Sequence, residues 1–251
     1  MKIISWNVNG IRAVYKKNFF KWMKKTNPDI LCLQEIKAQK EQIPEELIKP
    51  EGYYSYFNFA ERKGYSGVAV YTKKKPLKVE YKLGLKRFDQ EGRILKLKYS
   101  NFTLINLYFP HGAHDKRNLA YKLKVYNRLI NYLKKIQDEN IILIGDFNIA
   151  HKEIDLARPK DNKNNIMFTL EERRQIDRII ELGFIDTFRK FNKQGKNYTW
   201  WSYKFNARER NLGWRLDYVF VSKTIISKIK KSFILNKVID SDHCPIGIEL
   251  D

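Results

Sequence analysis

IILIGDFNIAHKEIDLARP, residues 141–159, places a short apolar run directly before a glycine and two polar side chains. The run Ile141–Ile144 is β-branched and is typical of a strand that is buried on both faces. Asp146 and Asn148 follow where this strand ends at Gly145, and polar groups there are costly unless they are paired or used. A turn in which Asp146 caps and Asn148 holds the loop explains the same residues equally well. The other strand ends decide between these two interpretations.

The composition indicates a basic globular protein. The chain has 251 residues, of which 43% are hydrophobic and 14% aromatic, so it can bury a large core and is not disordered. Its net charge of +21 favours a polyanionic partner, with nucleic acid the first choice. A lysine-rich proteome, which places lysine on every surface, is the alternative explanation for this charge.

The cysteines and the apolar segments indicate the compartment. Cys32 and Cys244 both lie in apolar contexts, which predicts reduced thiols in the core. The first residues, MKIISWNVNG, are typical of a strand and lack the apolar core of a signal peptide. No apolar run reaches membrane-spanning length, so we expect an intracellular, cytoplasmic protein without a membrane partner.

Strand and helix patterns alternate along the whole chain. Strands are predicted at Lys2–Trp6, Ile30–Leu33, Tyr53–Phe59, Gly67–Thr72, Ile94–Lys98, Phe102–Tyr108, Ile141–Ile144, Tyr198–Ser202, Leu216–Val221 and Pro245–Leu250. Helices are predicted at Arg12–Lys25, Asn118–Gln137 and Thr169–Leu182, the last with Thr169 as its N-cap. No low-complexity linker divides the chain, so we expect one α/β domain over residues 1–251, with sheets inside and helices outside.

Polar side chains recur at the strand ends. They are Asn7, Glu35, Tyr108, Asp146, Asn148, Asp242 and His243, with Asp217 in a late strand. In α/β sheets, ligand sites form where strand ends and their loops converge. Carboxylates and amides with one histidine and no cysteine suit a hard cation such as Mg²⁺ and do not suit structural zinc. The same set suits phosphoryl chemistry, in which a carboxylate or a histidine handles the proton of water.

The chain resembles the exonuclease III / AP endonuclease family of the endonuclease–exonuclease–phosphatase superfamily from end to end. The motifs that carry the resemblance are SWNVNGIRA (5–13), LCLQEIK (31–37), KGYSGVAVYTK (63–73), NLYFPHG (106–112), IGDFNIAH (144–151), YTWWSY (198–203), NLGWRLDYVFVS (211–222) and SDHCPI (241–246). LQE, GDFN and SDH mark the superfamily, whereas YFP, TWWSY and GWRLDY mark its DNA-repair branch. The resemblance implies a four-layered α/β sandwich, with two packed mixed β-sheets flanked by helices.

The resemblance also implies roles for the residues at the strand ends. Glu35 would be the principal Mg²⁺ ligand, with Asn7 and Asp242 completing or supporting the site. Asp146 would orient and deprotonate the attacking water, and Asn148 would donate to the phosphate in the transition state. The set that could contact the metal is thus Asn7, Glu35, Asp146, Asn148, Asp242 and His243, with Mn²⁺ able to replace Mg²⁺.

Three further roles concern the scissile phosphate. His243 would contact it, held in its tautomer and charge state by Asp217, and Tyr108 would lie against it as a hydrogen-bond donor or as phenolate. For Asp217 the alternative is a buried structural carboxylate that accepts backbone hydrogen bonds. For Tyr108 it is a packed edge residue with its hydroxyl outward.

The resemblance further implies a pocket and a surface for DNA. Trp200 and Trp214, with Leu216, would wall a small apolar pocket for a flipped-out deoxyribose that lacks its base. For one of the three late tryptophans, Trp200, Trp201 and Trp214, we expect an ordinary core role. The backbone contacts would come from Arg12, Lys37, Lys63, Tyr65, Arg158, Lys160 and Asn162. Such contacts set position and salt dependence and carry no sequence preference.

The function that follows is a Mg²⁺-dependent repair nuclease that cuts duplex DNA 5′ to abasic sites and leaves a 3′-OH. We expect a monomer with 3′→5′ exonuclease or 3′-end-cleaning activity on 3′-blocked ends; the sequence leaves incision at damaged bases open. A superfamily phosphatase that acts on a small or lipid phosphoester and a non-catalytic DNA-binding module are the alternatives. Asn9 departs from the pattern of some relatives of the family, which carry Asp at this position. The neutral amide leaves less negative charge around the ion, which predicts weaker Mg²⁺ binding here.

Overall fold

The structure, a computed structural model, describes residues 1–251 and contains two six-stranded mixed sheets. The strands are β1 (Lys2–Asn7), β2 (Ile30–Gln34), β3 (Tyr54–Asn58), β4 (Val68–Thr72), β5 (Lys78–Glu80), β6 (Ile94–Lys98), β7 (Thr103–Tyr108), β8 (Ile141–Asp146), β9 (Phe184–Asp186), β10 (Asp217–Ser222), β11 (Ile229–Ile234) and β12 (Ile246–Leu250). The first sheet has the order β11-β12-β1-β2-β4-β3, and the second has the order β5-β6-β7-β8-β10-β9.

Seven α-helices cover the sheets. They are α1 (Ile11–Tyr15), α2 (Phe19–Thr26), α3 (Glu45–Ile48), α4 (Lys86–Gln90), α5 (Leu119–Ile136), α6 (Leu170–Glu181) and α7 (Thr187–Phe191). None of these helices combines the length and the apolar character needed to cross a membrane.

The apolar residues form three main layers of core. Alternate residues of β8 face opposite ways: Ile142 and Ile144 pack between the sheets, whereas Ile141 and Leu143 pack against α5 and α6. A third cluster lies between the first sheet and the helices α1 and α2. Burial of each such aliphatic side chain contributes about 1.5–3 kcal/mol. The prediction of a four-layered α/β sandwich, with two mixed sheets inside and helices outside, is confirmed.

The predicted helix Arg12–Lys25 is wrong as one element, because the chain forms α1 and α2 with a break between them. Val14 and Phe19 are both buried, yet five residues of continuous helix would turn them about 140° apart. The break at Lys16–Asn18 lets both side chains face the same core.

The predicted strand Tyr198–Ser202 is also wrong. Trp200 forms isolated bridges to Trp214 and to His243, and the next backbone amide, that of Trp201, donates to Asp242. Since consecutive hydrogen bonds go to two different segments, no continuous ladder forms. Three strands with weak patterns, β5, β9 and β11, were not predicted.

Strand β8 continues through Gly145 to Asp146, beyond the predicted end of its apolar run. Gly145 has a φ of +139°, and a Cβ at this position would lie 2.0 Å from the carbonyl oxygen of Leu107 in β7. Only glycine permits this conformation and this close approach. The glycine therefore brings Asp146 into register opposite Tyr108 and Asp217.

We predict that Gly145→Ala lowers the free energy of unfolding by at least about 3 kcal/mol, because backbone strain and a clash with Leu107 add together. Equilibrium denaturation in urea measures this value. Gly52→Ala is the matched control, since Gly52 has a φ of +77° with no atom within 4 Å of the added Cβ. The control should lose only the conformational cost of about 1–2 kcal/mol. Equal losses in the two variants would contradict the close-packing argument.

Candidate active site

The strand directions bring the polar strand ends to one edge of both sheets. The parallel pair β1 and β2 ends at Asn7 and Gln34, and the parallel pair β7 and β8 ends at Tyr108 and Asp146. The antiparallel strands β10 and β12 begin at the same edge, at Asp217 and just after His243. The convergence predicted from the sequence is therefore present.

One amide joins the carboxylates of the two sheets. Nδ2 of Asn7 donates to Oε2 of Glu35 at 3.1 Å and to Oδ2 of Asp146 at 2.9 Å. Its oxygen accepts the backbone N–H of Asn9 at 3.0 Å. Asn7 is thus a donor to both acids in this arrangement, and its role as a metal ligand stays a prediction.

His243 lies between two buried aspartates. Its Nδ1 donates to Oδ2 of Asp217 at 2.8 Å, and its Nε2 lies 3.9 Å from Oδ2 of Asp146. Burial alone would lower the pKa of His243, but the charges of Asp217 and Asp146 raise it to about 10. Burial raises the pKa of Asp146 above its ordinary value, against the lowering effect of His243. The predicted pairing of Asp217 with His243 is present in the structure.

Asn148 lies beside Asp146 in a left-handed backbone conformation with a φ of +52°. Its backbone N–H donates to Oδ1 of Asp146 at 2.8 Å, and its Nδ2 donates to the carbonyl oxygen of Phe109 at 2.9 Å. Nδ2 is also 3.2 Å from Oδ2 of Asp146. The amide is therefore held at the same carboxylate oxygen that Asn7 and His243 approach.

The carboxylate of Asp242 is held by side chains from two other segments of the chain. Its Oδ1 accepts Nδ2 of Asn9 at 2.9 Å, and its Oδ2 accepts Nε1 of Trp200 at 3.0 Å. Burial alone would raise the pKa of Asp242, but His243 and these two hydrogen bonds lower it. Nζ of Lys37 lies 2.6 Å from Oδ1 of Asn9 and 2.8 Å from Oε1 of Glu35. Lys37 therefore connects Asn9, the hydrogen-bond partner of Asp242, to Glu35.

Tyr108 is buried beside Glu35, with the guanidinium of Arg93 at 4.6 Å from its ring centre. Burial and the charge of Glu35 raise the pKa of Tyr108 well above its ordinary value, which favours the neutral donor form over phenolate. Arg93 pairs with Glu91 at 2.5 Å and donates to the hydroxyl of Tyr65 at 3.0 Å. Sequence reasoning missed Arg93 and Glu91; the EGR sequence at 91–93, just before β6, was the available signal.

The predicted aromatic wall is assembled from separate segments. Trp200 and Trp214 are half-buried with ring centres 6.5 Å apart, and both pack on a cluster that contains Leu216. Trp200 also lies 6.5 Å from the ring of His243. Trp201 is instead buried in a neighbouring cluster with Cys244, so the expectation that one of the late tryptophans is core is confirmed.

The side chains predicted to contact DNA lie on a helix and on loops that are connected to the sheets at the edge where the polar strand ends meet. Arg12 is in α1, and Lys37 follows β2. Lys63 and Tyr65 lie in the loop from β3 to β4, whose flanking residues Asn58 and Val68 pair beside Gln34. Arg158, Lys160 and Asn162 lie in the segment after β8. Arg12, Lys63, Arg158 and Lys160 are exposed, whereas Lys37, Tyr65 and Asn162 are half-buried.

The site contains donors that fit a divalent cation. Ligand atoms of Asp146, Asp217 and His243 all lie within 4.8 Å of one another. Oδ1 of Asp217 is buried and has no hydrogen-bond partner, so it has capacity for a further ligand. Glu35 and Asp242 add two more carboxylates nearby, and such an oxygen-rich set fits Mg²⁺ or Mn²⁺. Asp217 was predicted only as the partner of His243, and the structure adds it to this candidate metal cluster.

Comparison with known proteins gives a consistent result. Residues 4–243 match the model of the Endonuclease/Exonuclease/phosphatase family. An exodeoxyribonuclease of Bacillus subtilis is 43% identical over 99% of this chain and 98% of its own. An AP endonuclease of Archaeoglobus fulgidus superposes with a TM-score of 0.91 at 32% identity, covering 100% of this chain and 99% of that one. A Neisseria 3′ phosphatase bound to a product DNA hairpin has a TM-score of 0.91 at 28% identity, covering 100% of this chain and 99% of that one.

We predict that Asp217→Asn lowers the pKa of His243 by about 1–3 units in the metal-free protein, because the change removes a buried negative charge 2.8 Å from Nδ1. NMR titration of the imidazole Cε1–H signals measures this shift. His151, whose Nε2 pairs with Asp177 at 2.7 Å, is the internal control and should titrate as in the wild type. An unchanged His243 titration would show that Asp217 does not hold its charge.

Proposed function

We propose that this chain, which belongs to the endonuclease/exonuclease/phosphatase family, is a DNA repair nuclease that hydrolyses the phosphodiester 5′ to abasic sites in duplex DNA. The products would be a 3′-OH and a 5′-deoxyribose phosphate, and 3′→5′ exonuclease or 3′-end-cleaning activity would accompany this reaction. The similarity to the Neisseria 3′ phosphatase, which was solved with a product DNA hairpin, supports the second activity.

One observation carries the choice of an abasic substrate: the hydrogen bond from Nε1 of Trp200 to Oδ2 of Asp242, at 3.0 Å. This bond places an indole against a carboxylate of the acidic site, and Trp214 packs next to it. A sugar that has lost its base offers apolar faces to such a wall, and its extrusion from the duplex is cheap because no base pair is broken. The net charge of +21 provides the attraction to the DNA backbone.

The residues of the site have complementary parts in hydrolysis. The raised pKa of Asp146 makes its carboxylate a stronger base than an ordinary aspartate, so it can take a proton from a water molecule. The protonated His243, fixed by Asp217, presents Nε2 to the scissile phosphate as a cationic donor. The amide of Asn148 and the neutral hydroxyl of Tyr108 are further donors for the developing negative charge.

The metal that we propose is Mg²⁺, with Mn²⁺ as a substitute. Glu35 would be the principal ligand, supported by Asn7 and Asp242, with Asp146, Asn148, Asp217 and His243 nearby. When bound, a divalent cation supplies Lewis-acid stabilisation of the phosphate oxygens. We further propose that the protein acts as a monomer.

We predict a single cut 5′ to an abasic-site analogue in a labelled duplex with Mg²⁺, and no cut with EDTA or on undamaged duplex. Asp146→Asn should lower the cleavage rate by about 10²–10⁴-fold, since it removes the base. Asp138→Asn, an exposed carboxylate between α5 and β8 at the opposite edge of the sheets, is the matched control and should cleave normally. Denaturing gel electrophoresis measures the rates.

Other results of this assay separate the alternatives. Tight binding of both duplexes without cleavage would favour the DNA-binding module. Hydrolysis of small phosphoesters without DNA cleavage would favour the phosphatase and would contradict the role given to the tryptophan wall.

We also predict that Asn9→Asp lowers the dissociation constant for Mg²⁺ by about 3–10-fold, because it places a second negative charge beside Asp242. Isothermal titration calorimetry on the folded protein measures this constant without any turnover. Asn131→Asp, at an exposed residue of α5 whose side chain makes no hydrogen bond, controls for added charge alone. Equal Mg²⁺ affinity in wild type and Asn9→Asp would contradict the proposal that the amide weakens metal binding.

A further inference from the structure

Lys122 is a charged residue on the buried face of α5 and is fully inaccessible to solvent. A buried ammonium is costly unless it is paired and all three of its protons are used. Nζ of Lys122 has three acceptors: Oε1 of Glu172 at 2.5 Å, the carbonyl oxygen of Asn148 at 2.6 Å and that of His111 at 3.2 Å. The side chain is therefore saturated, and two of its partners are backbone groups of the loops that form the site.

Glu172 is held equally firmly on its other side. It is the third residue of α6, where Oε2 accepts the backbone N–H of Thr169 and its own N–H donates to Oγ1 of Thr169. This capping box fixes the carboxylate relative to the first turn of the helix. The ammonium of Lys122 thus connects α5 and α6 to the loops that follow β7 and β8.

The contact with Asn148 occurs at a residue with a left-handed backbone. Asn148 has a φ of +52°, a conformation that asparagine adopts more readily than most residues with a side chain but that its contacts still have to select. Tyr126, one turn after Lys122 on α5, donates to the carbonyl oxygen of Phe147 at 2.5 Å. Helix α5 therefore holds two consecutive carbonyl groups of the DFN sequence, which orients the peptide planes on both sides of Asn148.

We infer that Lys122, neutralised by Glu172, is a positioning residue that fixes the backbone of Asn148 and thereby aims its side-chain amide at the reacting phosphate. The inference rests on the proposed function for its kinetic consequence. Its structural part is independent of that function, because the bond to the Asn148 carbonyl exists in the protein without substrate. Loss of the hydrogen bonds that support the ligands of a metal site typically costs about 10–100-fold in metal affinity or activity, and we expect a similar loss of activity here.

The test is the double variant Lys122→Met/Glu172→Gln, which removes both charges together, leaves no unpaired buried ion and keeps an oxygen for the capping box. We expect kcat on the abasic duplex to fall by about 10–100-fold with KM within about threefold of the wild-type value. We also expect the side-chain amide signal of Asn148 to shift in ¹H–¹⁵N NMR spectra. Lys122→Arg, which keeps a cation with several donors, should restore part of kcat.

Leu129→Ala is the matched control, because Leu129 is buried on the same helix and packs in the core without a polar contact to the site loops. It should lower stability and leave kcat and the Asn148 signal unchanged. If the double variant does not fold, Lys122→Gln/Glu172→Gln provides the same comparison with polar atoms retained. Its kcat should fall at least about threefold, with the Asn148 signal shifted, since a neutral amide holds the carbonyl more weakly.

The outcomes separate the two levels of inference. A wild-type protein that does not cut the abasic duplex would overturn the proposed function, while the Asn148 signal would still test the positioning role. A folded double variant with wild-type kcat and an unmoved Asn148 signal would overturn the role of Lys122. Equal losses of kcat in the double variant and in Leu129→Ala would also overturn it.

Discussion

The site depends on one amide group that bridges the two sheets. Nδ2 of Asn7 donates to Glu35, which follows β2 in the first sheet, and to Asp146 at the end of β8 in the second. The carboxylates of Glu35 and Asp146 repel each other because both are negatively charged. They stay at the distances that one amide can bridge only if the strands of both sheets keep their register. The packing between the sheets supplies this rigidity, and Gly145 supplies the close approach of β8 to β7 that places Asp146. The fold and the site are therefore coupled through strand register.

The net charge of the whole chain is positive, whereas the charge at the centre of the site is negative. The whole chain carries +21, whereas the centre of the site contains Glu35, Asp146, Asp217 and Asp242. His243 and Lys37 offset only part of this local negative charge. A basic surface attracts a polyanion, and an acidic centre attracts a divalent cation. The two features together suit a phosphodiester substrate better than either feature does alone.

The sequence predicted what local pattern and strand ends can encode. The β-branched run Ile141–Ile144 and its polar end located β8 and the acidic edge, because side chains at strand ends meet wherever the strands pair. The sequence did not predict the break between α1 and α2 or the bridging role of Trp200, since both depend on contacts with distant segments. The buried charges Arg93 and Lys122 were missed for the same reason. In a lysine-rich helix such as α5, nothing local distinguishes a buried lysine from an exposed one.

The buried charges that the sequence did not predict contact site residues that it did predict. Arg93 lies over the ring of Tyr108, Asp217 holds His243, and Lys122 holds the carbonyl group of Asn148. Tyr108, His243 and Asn148 are thus each fixed by a buried ionisable partner, and burial makes such contacts strong because water does not compete for them. Three other residues near the site centre also have left-handed backbone conformations, namely Asn9, Glu35 and Lys37, with φ values of +44°, +57° and +49°. Strain of this kind persists only where the surrounding contacts determine the geometry. The strained backbone at this edge of the sheets therefore lowers the stability of the fold, and the contacts that hold it fix the positions of donors and acceptors. Fixed donor and acceptor positions are the condition for electrostatic catalysis on a charged phosphate.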